Sequence, residues 1–209
     1  MRPRERLRPT GRVSYHGAMS PKSSSIRNNK SGSTSTDLVI SVWPTAWGPM
    51  GGVRSPAGLC RLELPHYSAD DLRALLQWEH PGCRVDDGAL AEVANLCQAY
   101  FNGQPIDFSP VACDLSAIGP FGRTILNTCR QIGYGQTRSY TQLALMAGQP
   151  ESKARPAAQA LGKNPIPLVI PCHRVLAAGG GLCGFSAPGG IETKRRMLEL
   201  EKRGAAAAK

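Results

Sequence analysis

The sequence predicts an α+β fold in which a small sheet and two helices precede a mostly helical second half. Between residues 38 and 64, short β-like runs alternate with Gly and Pro. Beyond residue 68, apolar residues recur at helical spacing behind Ser-headed capping patterns. With 209 residues, 41% of them hydrophobic, the chain is long enough to bury a core for both halves.

The first segment, residues 1–36, is polar and basic. It holds eight of the 25 Lys and Arg residues but only one of the 15 acidic residues, so it supplies most of the net charge of +10. Because it has too few apolar residues to offset the entropy of ordering, we expect a disordered tail. Two interpretations stay open: a basic arm that holds DNA loosely, and an extension without function upstream of a start at Met19. We favour the second.

The next elements predict an N-terminal α/β domain over residues 37–108. The runs 38–43 and 58–64 are β-like and bounded by Gly and Pro, which favours a small antiparallel sheet. Ser68 begins a capping pattern for a first helix. A second helix is predicted over residues 88–101, because a glycine follows shortly after.

The second half is predicted to be mostly helical. Apolar residues at three- and four-residue spacing predict a helix from Phe121 that ends at Gly133. Ser139 begins a capping box for a short helix ending near Gly148, and Ser152 is suited to cap the next helix. Two short helices around a tight turn favour a helix-turn-helix, although any helical hairpin gives the same pattern. The predicted division is a basic tail over 1–36, an N-terminal α/β domain over 37–108, a linker over 109–119, a second domain over 120–203 and a disordered tail over 204–209.

The composition argues against several classes of protein. No stretch approaches the ~20 apolar residues of a membrane span, and no apolar block follows the basic N-terminus, which predicts a cytoplasmic protein with no membrane partner. The seven cysteines form no CxxC pair, so neither a disulfide framework nor a metal site is expected. The run 179–184 satisfies GxGxxG but opens no long helix, so a dinucleotide site is not expected. Cys183 within it is either a second reactive thiol or, as we favour, a packed one.

The residues suited to chemistry are concentrated in the pentapeptide PCHRV at positions 171–175. A cysteine attacks as its thiolate, which needs a base or positive surroundings to form near neutral pH. His173 is the nearest base to Cys172, but sequence neighbours diverge, so a bridging water or a tight turn is required. Glu201 lies on the inner face of the predicted C-terminal helix and is our choice to orient His173. The alternatives are an inert buried thiol and a histidine satisfied in the core.

A family likeness extends around this pentapeptide. The run 164–175, NPIPLVIPCHRV, resembles the active-site signature of the O6-alkylguanine-DNA alkyltransferases, also called methylated-DNA–protein-cysteine methyltransferases. The likeness covers residues 119–201, and upstream the pattern at 100–103 with Phe108 is similar to a weaker family pattern. By this resemblance the N-terminal domain is ribonuclease-H-like and the second domain is winged-helix-like. The matching segments are 120–121, 134–140, 154–155, 189–194 and 198–201.

The resemblance implies a single-turnover DNA repair reaction. Cys172 would take the alkyl group from O6 of a guanine flipped out of duplex DNA and keep it as a thioether, with O4-alkylthymine as an open second substrate. His173 would act as the base through water, and Glu201 would orient it. Asn164 would orient the relay and the base, while Tyr140 would donate a proton to the base; an Asn-Pro turn and a packed aromatic ring are the alternatives. No cofactor, metal ion or protein partner is implied, and the protein would act as a monomer.

The resemblance also assigns contacts with double-stranded DNA to the second helix of the predicted hairpin. Arg155 would fill the place of the flipped base while this helix enters the minor groove, where small side chains allow close approach. Pro156 departs from the family pattern. Because it disfavours α geometry at Arg155, we expect the helix to start later or to have a distorted first turn. DNA contacts are assigned to Ser139, Ala154, Arg155, Pro156 and Ala158, and the walls of the base pocket to Val175, Phe185 and Ser186.

The loop after the pentapeptide is expected to wall the base pocket. By resemblance Phe185 stacks on the base and Ser186 donates to guanine O6, next to an insertion at residues 187–188. One rival function is an alkyltransferase-like protein that binds lesions without removing them, but that group lacks the acceptor cysteine. Another rival is a Cys-His hydrolase, which would need an oxyanion hole and would leave Tyr140 and Arg155 without a purpose.

Overall fold

The computed structural model describes residues 37–207 of the chain. Residues 1–36, for which a disordered tail is predicted, and residues 208–209 lie outside this range. Within it, a four-stranded sheet, a two-stranded sheet and six α-helices form a mixed α+β fold. The predicted α+β class is therefore confirmed.

The N-terminal sheet contains two of the strands that the sequence predicts and two that it does not. It is built from β1 (Val39–Trp43), β2 (Met50–Ser55), β3 (Gly58–Glu63) and β4 (Arg84–Val85). The strand order is β3-β2-β1-β4, with antiparallel pairs except for β4, which runs parallel to β1. The predicted antiparallel sheet is therefore formed by β1 to β3, whereas the parallel strand β4 was not predicted. A strand of two residues is too short to leave a periodic pattern, and it forms only because it pairs with β1.

Two consecutive glycines interrupt the strand pattern of β2 in the sequence, and one of them explains how β2 packs against a helix. A Cβ atom on Gly51 would lie 2.9 Å from Leu76 Cδ1 and 3.1 Å from Leu72 Cδ2, both on α1 (Ala69–Glu79). Glycine therefore allows this helix to lie close against the sheet. The interface between them is a buried apolar cluster that contains Ile40, Val42, Val53, Leu72 and Leu76.

The two N-terminal helices begin for different local reasons. Ser68 caps α1 as predicted, because its Oγ accepts a hydrogen bond from the Asp71 amide at 3.2 Å. The second helix, α2 (Ala91–Phe101), begins slightly later than predicted, since Gly88 lies in a turn held by the Asp86 side chain. The buried side of α2 includes Tyr100, which is fully buried. This residue faces the second half of the chain.

The predicted linker packs along the edge of the sheet. The Leu59 amide donates to Ala112 O at 2.9 Å, and the Asp114 amide donates to Leu59 O at 2.8 Å. Further along β3, the Leu62 amide donates to Pro165 O at 2.9 Å. The linker and a segment around Pro165 therefore cover the outer edge of β3, where unpaired backbone groups would otherwise be exposed.

The second half is mostly helical, as predicted. Its helices are α3 (Pro120–Cys129), α4 (Tyr140–Met146), α5 (Ala154–Leu161) and α6 (Gly190–Ala207), and a parallel pair joins β5 (Arg138–Ser139) to β6 (Val175–Leu176). The helix predicted to continue to Gly133 ends at Cys129. Ile132 still packs in the core, but through a turn in which its amide donates to Cys129 O at 3.1 Å.

The hairpin of α4 and α5 is formed as predicted, but one of its caps differs. Ser139 makes the expected capping box, in which its Oγ accepts from the Gln142 amide and its own amide donates to Gln142 Oε1. Ser152 does not cap α5, because it lies within a 3₁₀ turn over Glu151–Lys153 that leads directly into the helix.

Pro156 does not delay the start of α5. The helix begins at Ala154, so Pro156 is its third residue. Amide groups in the first turn of a helix have no carbonyl partner within the helix, and the absent N–H of proline is tolerated there. The expected later start is therefore wrong.

The last helix extends beyond the predicted domain boundary. α6 runs to Ala207, so residues 204–207, for which the sequence predicted a tail, are helical. Alanine is the strongest helix former, and Gly204 allows the helix to approach Gly103 and Tyr134 closely. Among residues 37–207, no helix combines the length and apolar character that a membrane span requires.

Candidate active site

The Cys172 thiol stands at a tight turn and lines a cavity. A 3₁₀ turn over Cys172–Arg174 follows Pro171, and the Arg174 amide donates to Pro171 O at 2.9 Å. Cys172 is only 7% exposed. The cavity has a volume of about 650 Å³ and opens to the surface. The predicted site residues that line it are Tyr140, Ala154, Arg155, Ala158, Cys172, Phe185 and Ser186.

Asn164 connects the backbone of this segment to the thiol. Its Nδ2 donates to Cys172 Sγ at 3.2 Å and to Ile170 O at 2.9 Å. Its Oδ1 accepts from the Ile166 amide at 3.0 Å, which fixes the orientation of the side-chain amide. The residue therefore fixes the loop and also supplies a donor that would stabilise negative charge on Sγ.

Behind the thiol, His173 and Glu201 form a buried pair. Their Nε2 and Oε1 atoms are 2.7 Å apart, and both side chains are 1% exposed. Since the carboxylate is ionised, Nε2 must carry the proton in this hydrogen bond, and Nδ1 is the unprotonated nitrogen. Nδ1 is buried and has no hydrogen-bond partner among the described residues. This nitrogen can accept a proton.

Glu201 is held by more donors than the sequence predicts. Arg174 donates to it through Nε at 3.0 Å and 3.1 Å and through Nη2 at 3.0 Å. Tyr100 Oη donates at 2.9 Å, and the Gly135 amide donates at 3.0 Å. Burial raises the pKa of Glu201, but the hydrogen bonds from His173 and Arg174 and the neighbouring positive charge outweigh it and lower the pKa to about 2. The carboxylate therefore stays charged at neutral pH.

Cys172, His173 and Tyr140 are neutral in the resting site. Burial raises the pKa of Cys172, although Asn164 and Lys194 oppose this shift. Burial also lowers the pKa of His173, against the opposing effect of Glu201. Burial raises the pKa of Tyr140, so its hydroxyl remains a proton donor. The resting pair is therefore a thiol beside a neutral imidazole, and a proton moves when the thiol reacts.

Some predicted residues lie outside the cavity. Val175 is fully buried behind it, and the Ser139 side chain is engaged in capping α4. Pro156 is half-buried on α5 and does not line the cavity, whereas Arg155 is exposed at its rim. Among residues 37–207, no cluster of three or more His, Cys, Asp or Glu side chains could hold a metal ion.

Sequence and structure comparisons identify relatives of this chain. Residues 120–203 match the family model described as 6-O-methylguanine DNA methyltransferase, DNA binding domain. A methylated-DNA–protein-cysteine methyltransferase of Mycobacterium tuberculosis is 41% identical over 153 residues, 72% of this chain and 90% of that protein. A protein of the same name from Sulfolobus acidocaldarius is 38% identical over 117 residues, 56% of this chain and 70% of that protein. A crystal structure of Mycobacterium tuberculosis OGT in complex with DNA has a TM-score of 0.65 at 31% identity, over 79% of this chain and 94% of that chain.

The chain belongs to the methylated-DNA–protein-cysteine methyltransferase family. The family resemblance stated from the sequence is therefore confirmed. The region that matches the family model spans α3 to most of α6 and contains the thiol, the buried histidine–carboxylate pair and the cavity. In this methyltransferase family member, Cys172 lines an open cavity, its Sγ accepts a hydrogen bond from the Asn164 amide, and the next residue is the buried His173. Such an arrangement suits transfer of a small carbon group to sulfur.

The sequence does not indicate that Tyr100 and Arg174 bind Glu201. Tyr100 lies 101 positions away from Glu201, in the N-terminal half, and only folding shows that they meet. Arg174 stands in the signature next to His173, but its guanidinium is 5–6% exposed and turned inward, where it also donates to Ile132 O. A buried arginine requires a partner, but the sequence does not show that Arg174 is buried. The available signal was its position in the signature, two residues after Cys172.

Proposed function

We propose that the protein repairs O6-alkylguanine in double-stranded DNA by transferring the alkyl group irreversibly to Cys172, once per molecule. The observation that supports this most strongly is the Cys172 thiol at the cavity wall, 3.2 Å from the Asn164 amide and next to the buried His173–Glu201 pair. Membership of the methyltransferase family supports the same reaction. O4-alkylthymine fits the same chemistry as a second substrate.

The proposed reaction is an in-line displacement at a saturated carbon. His173 Nδ1 takes the thiol proton through a water molecule, and the resulting thiolate attacks the alkyl carbon. A sulfur–carbon bond forms while the bond between that carbon and guanine O6 breaks, so the electron pair stays with the base. Tyr140 donates its hydroxyl proton to a ring nitrogen of the leaving base, and the imidazolium proton restores the tyrosine. Guanine and a stable thioether remain.

The ionised carboxylate favours this proton transfer. Glu201 stabilises positive charge on His173, and the thiolate gains the Asn164 donor. Since a thioether cannot return the alkyl group to water at neutral pH, the cysteine is consumed. The reaction needs no organic cofactor or metal ion, because sulfur is itself the nucleophile and the final acceptor.

The DNA contacts follow from the position of α5 beside the cavity. We assign α4 and α5 to a helix-turn-helix of a winged-helix-like domain, with α5 entering the minor groove and Ser139 and Pro156 close to the backbone. Ala154 and Ala158 line the cavity on this helix and are small enough for close approach. Arg155, exposed at the rim, would occupy the space of the flipped base.

The walls of the cavity accommodate the extruded base. Phe185 would stack on it and Ser186 would donate to guanine O6, while Val175 supports the pocket from behind. A base must leave the duplex before sulfur can reach its alkyl group, which costs a few kcal/mol. The protein would do this as a monomer without a protein partner.

The N-terminal half supports the reacting half. Its strand order β3-β2-β1-β4, with one parallel pair, supports a ribonuclease-H-like assignment for residues 37–108. Residues 109–119 then link it to the DNA-binding and alkyl-acceptor domain, residues 120–203. Tyr100 brings the N-terminal half into direct contact with Glu201.

A transfer assay tests the proposed function. The protein is incubated with duplex DNA that carries one radiolabelled O6-methylguanine, and label in the protein is counted. Wild type should accept no more than one methyl group per molecule, and Cys172→Ala should accept none. Cys183→Ala is the matched control, because its thiol lines the same cavity and its loss should leave labelling in place. Repeated turnover, or label that survives in Cys172→Ala, would contradict the proposal.

A further inference from the structure

Lys194 is a fully buried lysine without a carboxylate partner. Its side chain lies on α6 and is 0% exposed. Its Nζ donates to Val175 O at 2.6 Å and to Cys183 O at 3.3 Å. Within residues 37–207, no acidic side chain forms an ion pair with it. A buried charge that is not paired is costly, so a purely structural lysine is an unexpected choice at this position.

The two carbonyl groups place the ammonium between the segment that follows the nucleophile and the loop that lines the cavity. Val175 follows the Cys172–Arg174 turn directly, and Cys183 belongs to the loop that lines the cavity together with Cys172. One ammonium therefore joins the strand after the nucleophile to the loop on the other side of the cavity. Removing it would leave both carbonyl groups without this donor.

Lys194 is also a cation that lies, with Arg174 of the turn, among otherwise neutral side chains. Lys194 and Cys172 interact electrostatically, and each favours the charged form of the other. Burial keeps the histidine next to Cys172 neutral at rest. The ionisable groups around this thiol are Cys129 from α3, Tyr140 from α4, His173 from the turn, Cys183 from the cavity loop and Lys194 from α6.

We propose that Lys194 is a positioning residue that stabilises the Cys172 thiolate and holds the turn and the cavity loop in place around it. The inference deepens the proposed function and rests on it, because it takes Cys172 as the alkyl acceptor. A neighbouring opposite charge favours the thiolate in a medium of low dielectric constant. A tenfold gain in thiolate at neutral pH gives a severalfold faster attack, because the nucleophilicity of a thiolate falls as its pKa falls.

The test measures how fast Cys172 reacts with iodoacetamide as the pH is varied. The intact protein is labelled without DNA, and modification of the Cys172 peptide is followed by mass spectrometry. In Lys194→Met the rate at neutral pH should fall severalfold, and it should recover at alkaline pH where the thiolate forms in both proteins. Lys202→Met is the matched control, because it removes the same charge from an exposed position of the same helix. Its pH profile should equal that of wild type.

A second variant separates charge from hydrogen bonding. Lys194→Gln keeps a donor for the carbonyl groups but has no charge, so its pH profile should be displaced in the same direction. A profile that is not displaced in either variant, a loss that is equal at every pH, or a failure of both variants to fold would overturn the proposal. A loss of reactivity that is equal at every pH, or a failure of both variants to fold, would mean that the lysine has only a structural role.

The readout is independent of DNA repair. If wild type transfers no methyl group from DNA but Lys194→Met still shows the displaced iodoacetamide profile, the proposed function fails while the effect of Lys194 on the thiol stands. If methyl transfer occurs and the profile is not displaced, the inference about Lys194 fails alone.

Discussion

Replacement of Glu201 by glutamine is expected to destabilise the fold as well as the relay. The carboxylate lowers its pKa from 4.5 to about 2 on folding, since His173 and Arg174 both favour its charged form. A difference of about 2.5 units corresponds to about 3 kcal/mol of stability at neutral pH. Breaking a buried ion pair by removing one partner gives a similar figure, about 3–5 kcal/mol, because Arg174 would be left buried without its counter-charge.

The sign of the pH dependence follows from this depressed pKa. A carboxyl group whose pKa is lowered by folding stabilises the fold above its unfolded value, here 4.5, and loses that contribution as the pH falls towards 2. Burial lowers the pKa of His173, which also reduces stability in acid, and the Glu201 carboxylate opposes this shift in wild type until it is itself protonated. The difference between the two proteins should therefore narrow as the pH falls from 4.5 to about 2.

Urea unfolding followed by tryptophan fluorescence measures this difference, since Trp43 is buried in the core. Glu201→Gln should lose about 3 kcal/mol of unfolding free energy at neutral pH. Glu199→Gln, on the same helix, is the matched control: its pair with Arg195 is exposed, so its loss should hardly change the free energy of unfolding. Equal stability of Glu201→Gln and wild type, or a difference that does not change with pH, would refute the argument.

Three further substitutions test the roles around the thiol. Asn164→Ala removes the donor to Sγ, so single-turnover methyl transfer should slow by about tenfold or more, whereas an unchanged rate would exclude that role. Tyr140→Phe removes the proposed proton donor and should slow transfer about a hundredfold without weakening duplex binding measured by fluorescence anisotropy; equal loss of binding would indicate a packing role instead. Arg155→Ala should slow repair of duplex DNA more than repair of the same base in a single strand, and equal slowing would contradict the gap-filling role.

Local signals in the sequence predict much of the fold. β1 and β3 are recognisable from β-like runs, and Ser68 and Ser139 cap helices as their spacing predicts. β2 is not recognisable from the sequence, because Gly51 and the glycine next to it are not typical of strands. Gly51 is needed there because it allows α1 to pack closely against the sheet. Such tertiary packing leaves no periodic pattern in the sequence. For the same reason, the end of α6 resembles a tail until its contacts with Gly103 and Tyr134 are known.

The site residues likewise include some that the local sequence indicates and others that only contacts between distant positions reveal. Cys172 and His173 stand in one short motif, and helical periodicity alone selects Glu201 as the partner of the histidine. Tyr100 could not be selected in this way, because nothing in its local pattern indicates contact with a residue 101 positions later. Lys194 carries no local sign of burial, since lysine in an amphipathic helix is ordinarily exposed.

Mass spectrometry of the reacted protein tests the central claim most directly. After incubation with duplex DNA containing O6-methylguanine, the protein is digested and the peptides that contain its seven cysteines are compared. The account predicts one additional methyl group, on the Cys172 peptide alone, together with restored guanine in the DNA. A methyl group on another cysteine, or restored guanine with an unmodified Cys172, would contradict it.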